Sequence, residues 1–323
     1  MSAQTNTLHL HAILQMFLFH CRYEKNLSDK TLKAYETDIR QFCDFVAPLL
    51  PELQLQHITP GILKEYIRHL SHYQPKTVKR KLASLKAMFN FMEIEDENYI
   101  HPFHRLKIKI KTPFLLPAVM NMDEVSAILS HLYRQKKNST HHTNDQYLTI
   151  LRNIAVIELL FGTGIRVSEL CSLQEQTVDL DNGYIKVYGK GSKERIIHIG
   201  RKEILKALIE YKRHRIAHSP SRQTSFFENR LKTPLSPQSV RLMIQKIASQ
   251  TRLTKHITPH TFRHTFATLL LEEGIDIKYI QSILGHSSLA TTQIYTHVNT
   301  AKQRTILSTQ HPRRKLAISY ISD

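Results

Sequence analysis

The sequence predicts a mainly α-helical fold with a small β-sheet, divided into a helical N-terminal domain and a mixed α/β second domain. Three observations predict it. The length, 323 residues with 41% apolar and 22% charged side chains, suits two domains that each bury a core. Apolar residues recur at helical spacing through most of the first hundred positions. Strand-like patterning with turn residues is confined to one stretch, Asp179–Ile199.

Taken in order, Thr7–Glu24 is a first helix, and Ser28 caps a second through Thr31, Leu32, Tyr35, Ile39, Phe42 and Phe45. Thr59-Pro60 opens a third, with a threonine cap and proline in the first turn. Pro75 precedes a fourth, with Val78, Leu82, Leu85, Phe89 and Met92 on one stripe. Its other positions include Lys76, Lys79, Arg80, Lys81 and Lys86, a face that is either simply solvated or turned toward an anion. The domain boundary falls at 103–118, where Lys107, Lys109 and Lys111 alternate with isoleucine among Pro102, Pro113 and Pro117, reading as an extended basic linker. In the second domain, 122–132 and 146–161 read as helices around a polar loop, Arg134–Asn144. Asn182-Gly183 and Gly189–Lys193 are turn signals beside strands Tyr184–Tyr188 and Arg195–Ile199. Helices return from 201 and at 236–250, and short ones fill 259–297.

The formal net charge is +18 and is unevenly placed. Residues 1–105 carry 13 bases against 11 acids, and residues 106–323 carry 32 against 16. Such an excess costs self-repulsion, and a polyanionic partner is its leading explanation. The strongest apolar stretch, Leu151–Gly164, is broken by Arg152, Asn153 and Glu158, so no membrane span is expected. Cys21, Cys43 and Cys171 form no C-x-x-C pair and read as small core residues in a reducing compartment. Met1–Leu10 lacks a basic segment ahead of an apolar run. A cytoplasmic location is the expectation.

Several kinds of site are disfavoured. Gly183…Gly189-Lys190-Gly191 has five residues between its first two glycines, and Gly191 stands where a phosphate loop needs Ser or Thr. His260 and His264 share a helix face, but no Glu lies between them and Arg263 would put a cation beside any metal. Asp179 and Asp181 abut the Asn-Gly turn, which favours a turn role over a metal-binding one. Phosphodiester chemistry without a metal needs a nucleophile, fixed cations for the non-bridging oxygens and an acid for the leaving oxygen. His260-Thr-Phe-Arg263-His264 offers an arginine flanked by imidazoles.

Five motifs then occur in order: Thr163-Gly-Ile-Arg166-Val-Ser-Glu169-Leu170, Gly189-Lys190-Gly-Ser-Lys-Glu-Arg195, Thr258-Pro-His260-Thr-Phe-Arg263-His264, Leu284-Gly-His286 and Thr291-Thr-Gln-Ile-Tyr295. Together with Leu27–Tyr35 they make the chain resemble the tyrosine recombinase (phage integrase) family, in its Xer-like bacterial branch, from about residue 8 to 300. The resemblance implies a two-domain DNA clamp: a helical core-binding, SAM-like domain at 8–103, a linker at 104–118, a catalytic domain at 119–311 and a C-terminal tail at 312–323. It implies a site-specific recombinase working through a 3′-phosphotyrosyl intermediate and a Holliday junction, with no ATP, metal or other cofactor. Tyr295 would be the nucleophile, Arg166 and Arg263 the phosphate clamp, His260 and His286 hydrogen-bonding and proton-transfer partners, and Lys190 the acid toward the 5′-oxygen.

Glu169, one helical turn after Arg166, would orient the site, with an ordinary intrahelical pair as its alternative. Thr31, Lys76, Thr77, Lys79, Arg80, Lys86, Lys107, Lys109 and Lys111 are the candidate DNA contacts. The partners would be duplex DNA with specific sites and three further protomers, in a homotetramer or a hetero-tetramer with a paralogue. Tyr320 is a rival nucleophile by residue type alone. A type IB topoisomerase and a non-cleaving DNA-binding protein are the competing readings. The long Arg134–Asn144 loop tilts the expectation toward a mobile element over chromosome-dimer resolution. The tail, with Leu316, Ile318, Tyr320 and Ile321, is expected to dock on a neighbouring protomer; DNA binding through Arg313–Lys315 and disorder are its alternatives.

Overall fold

The computed structural model describes residues 10–50, 55–97, 99–111, 118–139, 143–188, 194–218, 224–285 and 307–316. The chain forms two compact units, Met1–Leu115 and Leu116–Asp323.

The first unit is built from α1 (Leu10–Phe19), α2 (Asp29–Val46), α3 (Pro60–His69) and α4 (Pro75–Glu95). α1 runs into a π-helical turn, His20–Glu24. Ser28 and Thr59 cap α2 and α3 through their side-chain oxygens, as the sequence signals predict. The α4 stripe Val78, Leu82, Leu85, Phe89 and Met92 is buried against α1 and α2 residues such as Ile13, Phe17, Ile39 and Phe42. Lys81, counted among the outward bases, is instead 3% exposed and lies on the carboxylate of fully buried Asp38. Asp38 also receives Ser84 Oγ at 2.8 Å and the guanidinium of Arg80. An unpaired carboxylate there would carry a severe desolvation cost, so the basic face is partly recruited to neutralise it.

The 106–111 stretch is extended, and its alternation has a function within this unit. Leu106, Ile108 and Ile110 pack against the helical core, while Lys107, Lys109 and Lys111 stay exposed. The segment is therefore a docked strip, and only its lysine side is free.

The second unit begins with α5 (Met122–Lys137) and α6 (Asn144–Thr163), each opened by a reciprocal capping box, Asn121 with Glu124 and Thr143 with Gln146. The polar stretch read as a loop is shorter than expected, because Arg134–Lys137 complete α5; the basic residues suit the helix C-terminal dipole. Loop length therefore carries no argument for a mobile element. α7 (Val167–Cys171) follows α6 directly. The sheet is a three-stranded antiparallel meander of β1 (Val178–Asp179), β2 (Tyr184–Tyr188) and β3 (Glu194–His198). In its register Ile185 opposes Ile197 and Val187 opposes Arg195. Asp179 Oδ1 and Oδ2 accept from Asn182 N and Nδ2 at 2.8 and 2.9 Å, confirming the turn role for that carboxylate. α8 (Lys202–His218), α9 (Pro237–Gln250), α10 (Pro259–Glu272) and α11 (Ile277–Leu284) complete the unit.

α6 is the central helix. Ile154–Thr163 is entirely buried, including Glu158. The three cysteines are free and buried. No helix of the described residues is long and apolar enough to cross a membrane.

The C-terminal return corrects the expected tail as far as residue 316. Leu307 is 1% exposed, and Pro312–Lys315 form a 3-10 turn packed on the same chain. Arg313 is 1% exposed and meets Glu158 through Nε and Nη2 at 3.1 and 3.0 Å. A fully buried carboxylate in the middle of α6 requires such a partner, and that requirement holds the segment to its own chain through residue 316. Ile318, Tyr320 and Ile321 lie outside the described residues.

Candidate active site

The site is built where four helix ends meet one strand. α6 ends on Gly164, whose φ of +61° is left-handed; a Cβ there would lie 2.6 Å from Phe266 Cδ1 and 2.7 Å from Leu284 Cδ2. Only glycine permits this turn, which places Arg166 at the N-cap of α7. Glu169, in the first turn of α7, reaches back: its carboxylate accepts from Arg166 N at 3.0 Å and from Arg166 Nη1 at 2.8 Å. Arg195 arrives from β3 and grips the same carboxylate with Nη1 and Nη2, at 2.7 and 2.9 Å.

α10 opens behind a reciprocal pair in which Thr258 and Thr261 each accept from the other's backbone N–H, with Pro259 in the first turn. This fixes Arg263, 5% exposed, so that Nη1 donates to Gly164 O and Nη2 to Leu284 O, both at 2.7 Å. Arg166 Nη2 donates to the next carbonyl, Gly285 O, at 2.8 Å. The two guanidiniums thus converge on consecutive carbonyls at the C-terminus of α11. Gly285 has φ +64°, and a Cβ would come within 2.8 Å of Arg195 Nε.

The electrostatics follow from this geometry. Burial alone would raise the Glu169 pKa; the hydrogen bonds and charge of Arg195, then those of Arg166, outweigh it and hold the carboxyl below its usual range. Burial pushes Arg263 down to about 10, with Arg166 and Arg195 adding to the effect and Glu169 opposing it. Arg263 therefore stays cationic at pH 7. His260 remains exposed in the first turn of α10. Partial desolvation, then the positive charges of His264, Arg263, Arg241 and Arg166, lower its pKa and favour neutral imidazole at pH 7. Three guanidiniums face one carboxylate, so the cluster carries an uncompensated cationic excess suited to an anionic ligand.

The described structure therefore gathers Arg166, Glu169, His260 and Arg263. Lys190, His286 and Tyr295 lie outside the described residues; Gly285 immediately precedes His286, and Lys190 belongs to the connection between β2 and β3. Glu169 bridges the helical and sheet halves of the site, beyond an ordinary intrahelical pair. Sequence reasoning missed Arg195, although the signal was available. It shares strand parity with buried Ile197 and Ile199, and an inward arginine demands a carboxylate. In the first unit Lys76, Lys79, Arg80 and Lys86 are exposed, while Thr31 and Thr77 are half-buried. Among the described residues, no group of three or more His, Cys, Asp or Glu side chains gathers at metal-binding spacing.

Residues 118–302 match the phage integrase family, and residues 14–96 match the phage integrase N-terminal SAM-like domain. The chain belongs to the phage integrase family of tyrosine recombinases. A tyrosine recombinase of Agathobacter rectalis is 44% identical, covering 96% of this chain and 98% of its own. A tyrosine recombinase XerC of Thermodesulfovibrio yellowstonii is 36% identical, with coverages of 93% and 96%. The Xer-like branch expected from the motifs is thereby supported, and the enzyme is a site-specific recombinase; neither competing reading is supported. The fold is that of a XerH site-specific recombinase bound to difH substrate, with TM-score 0.66, 24% identity and coverages of 90% and 83%. It is also that of a lambda integrase in a tetramer bound to a Holliday junction, with TM-score 0.64, 19% identity and coverages of 89% and 77%.

Proposed function

We propose that this recombinase cuts and rejoins duplex DNA at specific sites with Tyr295 as nucleophile and Arg166 and Arg263 as the clamp on the scissile phosphate. The observation that carries the reading is the convergence of the two arginines on the Leu284 and Gly285 carbonyls, with Glu169, itself gripped by Arg195, bracing Arg166. Held by carbonyls and a carboxylate, the guanidiniums are oriented before substrate arrives. Their remaining donors can then meet the charge that grows on the non-bridging oxygens in the transition state.

In the first step the Tyr295 hydroxyl oxygen bonds to phosphorus and passes its proton to the neutral imidazole of His260. The bond from phosphorus to the 5′-oxygen breaks, and that oxygen takes a proton from Lys190. A 3′-phosphotyrosine and a 5′-hydroxyl result. Attack by the 5′-hydroxyl of the other duplex reverses the sequence, releases Tyr295 and gives a Holliday junction. The phosphodiester bond energy is retained throughout, so the scheme consumes no ATP. His260, neutral by its surroundings, hydrogen-bonds the phosphate together with His286.

The exposed lysines of α4 and of the 107–111 strip would follow the DNA backbone, with residues 8–103 as the core-binding domain and 119–311 as the catalytic domain. Strand exchange between two sites would take four protomers, as in the lambda integrase tetramer, in a homotetramer or with a paralogue.

The test is covalent capture on a nicked suicide substrate in EDTA. Wild-type protein should form an adduct, and Tyr295→Phe should bind the DNA but form none. Lys190→Ala should be slow on the normal linkage and be largely rescued by a 5′-bridging sulfur, which leaves without a proton. Undiminished adduct from the Phe variant would refute the nucleophile assignment, and absence of sulfur rescue would refute the acid.

A further inference from the structure

We infer that His311 is a positioning residue for the arginine clamp, acting through the end of α6. The inference rests on the function proposed above and concerns a residue beyond the 118–302 span that matches the family.

The last carbonyls of a helix lack intrahelical partners. In α6, the Gly164 carbonyl is taken by Arg263, and the Gly162 carbonyl by His311 Nε2 at 2.7 Å. His311 is fully buried, and its tautomer is fixed by geometry: Nδ1 accepts from Arg313 N at 2.9 Å, so Nε2 carries the proton it donates. The ring stands edge-on to Phe161 of α6, with centroids 6.1 Å apart, and lies 5.7 Å from Phe266 of α10. Phe266 in turn lies against Gly164. One imidazole therefore touches both helices that deliver the clamp: α6, which leads into Gly164 and Arg166, and α10, which carries Arg263.

About one turn before Gly162, Arg313 holds Glu158, and Tyr133 donates to the same carboxylate at 2.9 Å. The Leu307–Leu316 return thus grips the last two turns of α6 at two points. Arg313 supplies charge neutralisation at Glu158, and His311 sets the terminal turn. The same return follows, in sequence, the segment that contains Tyr295, and its Leu307 packs in one apolar cluster with Phe266 of α10 and Leu284 of α11. Reaction-competent placement of the arginines depends on a residue sixteen positions beyond the nucleophile in the same chain.

Two substitutions separate positioning from folding. His311 is also the N-cap of the Pro312–Lys315 turn. Asparagine keeps that cap but is too short to reach Gly162, whereas glutamine can donate to Gly162 through Nε2. His311→Asn should keep single-site DNA affinity within about 3-fold and slow single-turnover cleavage by about 30- to 100-fold, the scale of an ångström-level misplacement. His311→Gln should cleave within about 5-fold of wild type. In an Arg263→Lys background, His311→Asn should cost less than about 3-fold, because the residue through which it acts is already compromised. Cleavage by His311→Asn within 3-fold of wild type would overturn the inference. So would equal losses in His311→Asn and His311→Gln, or a full additive loss in the Arg263→Lys background. Wild-type protein that forms no adduct would overturn the parent function, and the inference with it.

Discussion

Replacing Glu169 with glutamine separates the role of its charge from that of its shape. The carboxylate is 5% exposed and accepts from Arg166 N, Arg166 Nη1, Arg195 Nη1 and Arg195 Nη2. Glutamine fills the same volume but offers one acceptor oxygen and turns an NH2 toward a guanidinium. Two of the charge-assisted bonds are lost, each worth roughly 1.5–3 kcal/mol. Because the Arg166 side chain is 32% exposed, solvent recovers part of its share, which brings the expected destabilisation to about 3 kcal/mol. For a unit of this size that lowers its melting temperature by about 6–12 °C. The sign with pH follows from the lowered pKa of Glu169. Its contribution is present above the unfolded carboxyl pKa and is lost as pH falls through the folded value, so the Gln variant should lose that acid-side slope. DNA affinity should not fall, since a negative charge has been removed near the site, whereas single-turnover cleavage should drop by about 100-fold with the clamp unbraced. Calorimetry and suicide-substrate kinetics on the full chain measure both. A melting temperature within 2 °C of wild type together with cleavage within 3-fold would refute the bracing argument.

Burial, above all, lowers the His311 pKa to about 4, with Arg201 and Arg313 adding to the effect and the Gly162 carbonyl and Glu203 opposing it. The unfolded chain therefore takes up the proton first, and stability should fall by roughly 3 kcal/mol as pH drops from 6.5 toward 4. His311→Gln should remove that portion in urea titrations, and parallel pH profiles would refute the assignment. Arg313→Ala strands fully buried Glu158 and should cost about 3–5 kcal/mol in chemical denaturation. Truncation after His311 should show the same loss, so it is a folding lesion before it is an assembly one; a loss under 1 kcal/mol would contradict the ion pair's structural role. Neutralising Lys76, Lys79 and Lys86, which leaves the Asp38 network intact, should flatten the log affinity–log salt slope by about 0.9 per lost phosphate contact. An unchanged slope in a folded variant would return this face of α4 to a merely solvated surface.

Most of the helical framework was legible because it rests on local rules. The α4 stripe, the Ser28 and Thr59 caps and the Asn182-Gly183 turn each sit within a few residues of the structure they specify. The ordered motifs likewise exposed Arg166, Glu169, His260 and Arg263. What was not legible depends on partners far apart in sequence. Lys81 looked like a surface base until Asp38, forty-three positions away, claimed it. Arg313 looked like part of a basic tail, yet its partner Glu158 lies 155 positions earlier inside an apolar helix. A buried acid in α6 signals that some cation must come to it, but periodicity cannot say which. Alternation in 106–111 was visible, but the apolar face that receives Leu106, Ile108 and Ile110 exists only after α4 has folded.

The central claim is that Tyr295 becomes covalently bonded to DNA. Protein trapped on a suicide substrate in EDTA, digested with protease and nuclease and mapped by tandem mass spectrometry, tests it directly. The account predicts a nucleotide phosphate on the peptide containing Tyr295, joined through the 3′-phosphate, with the cleaved strand carrying a free 5′-hydroxyl. Linkage at Tyr320 or any other residue, a 5′-phosphate linkage, or an adduct that forms only with a divalent metal would contradict it.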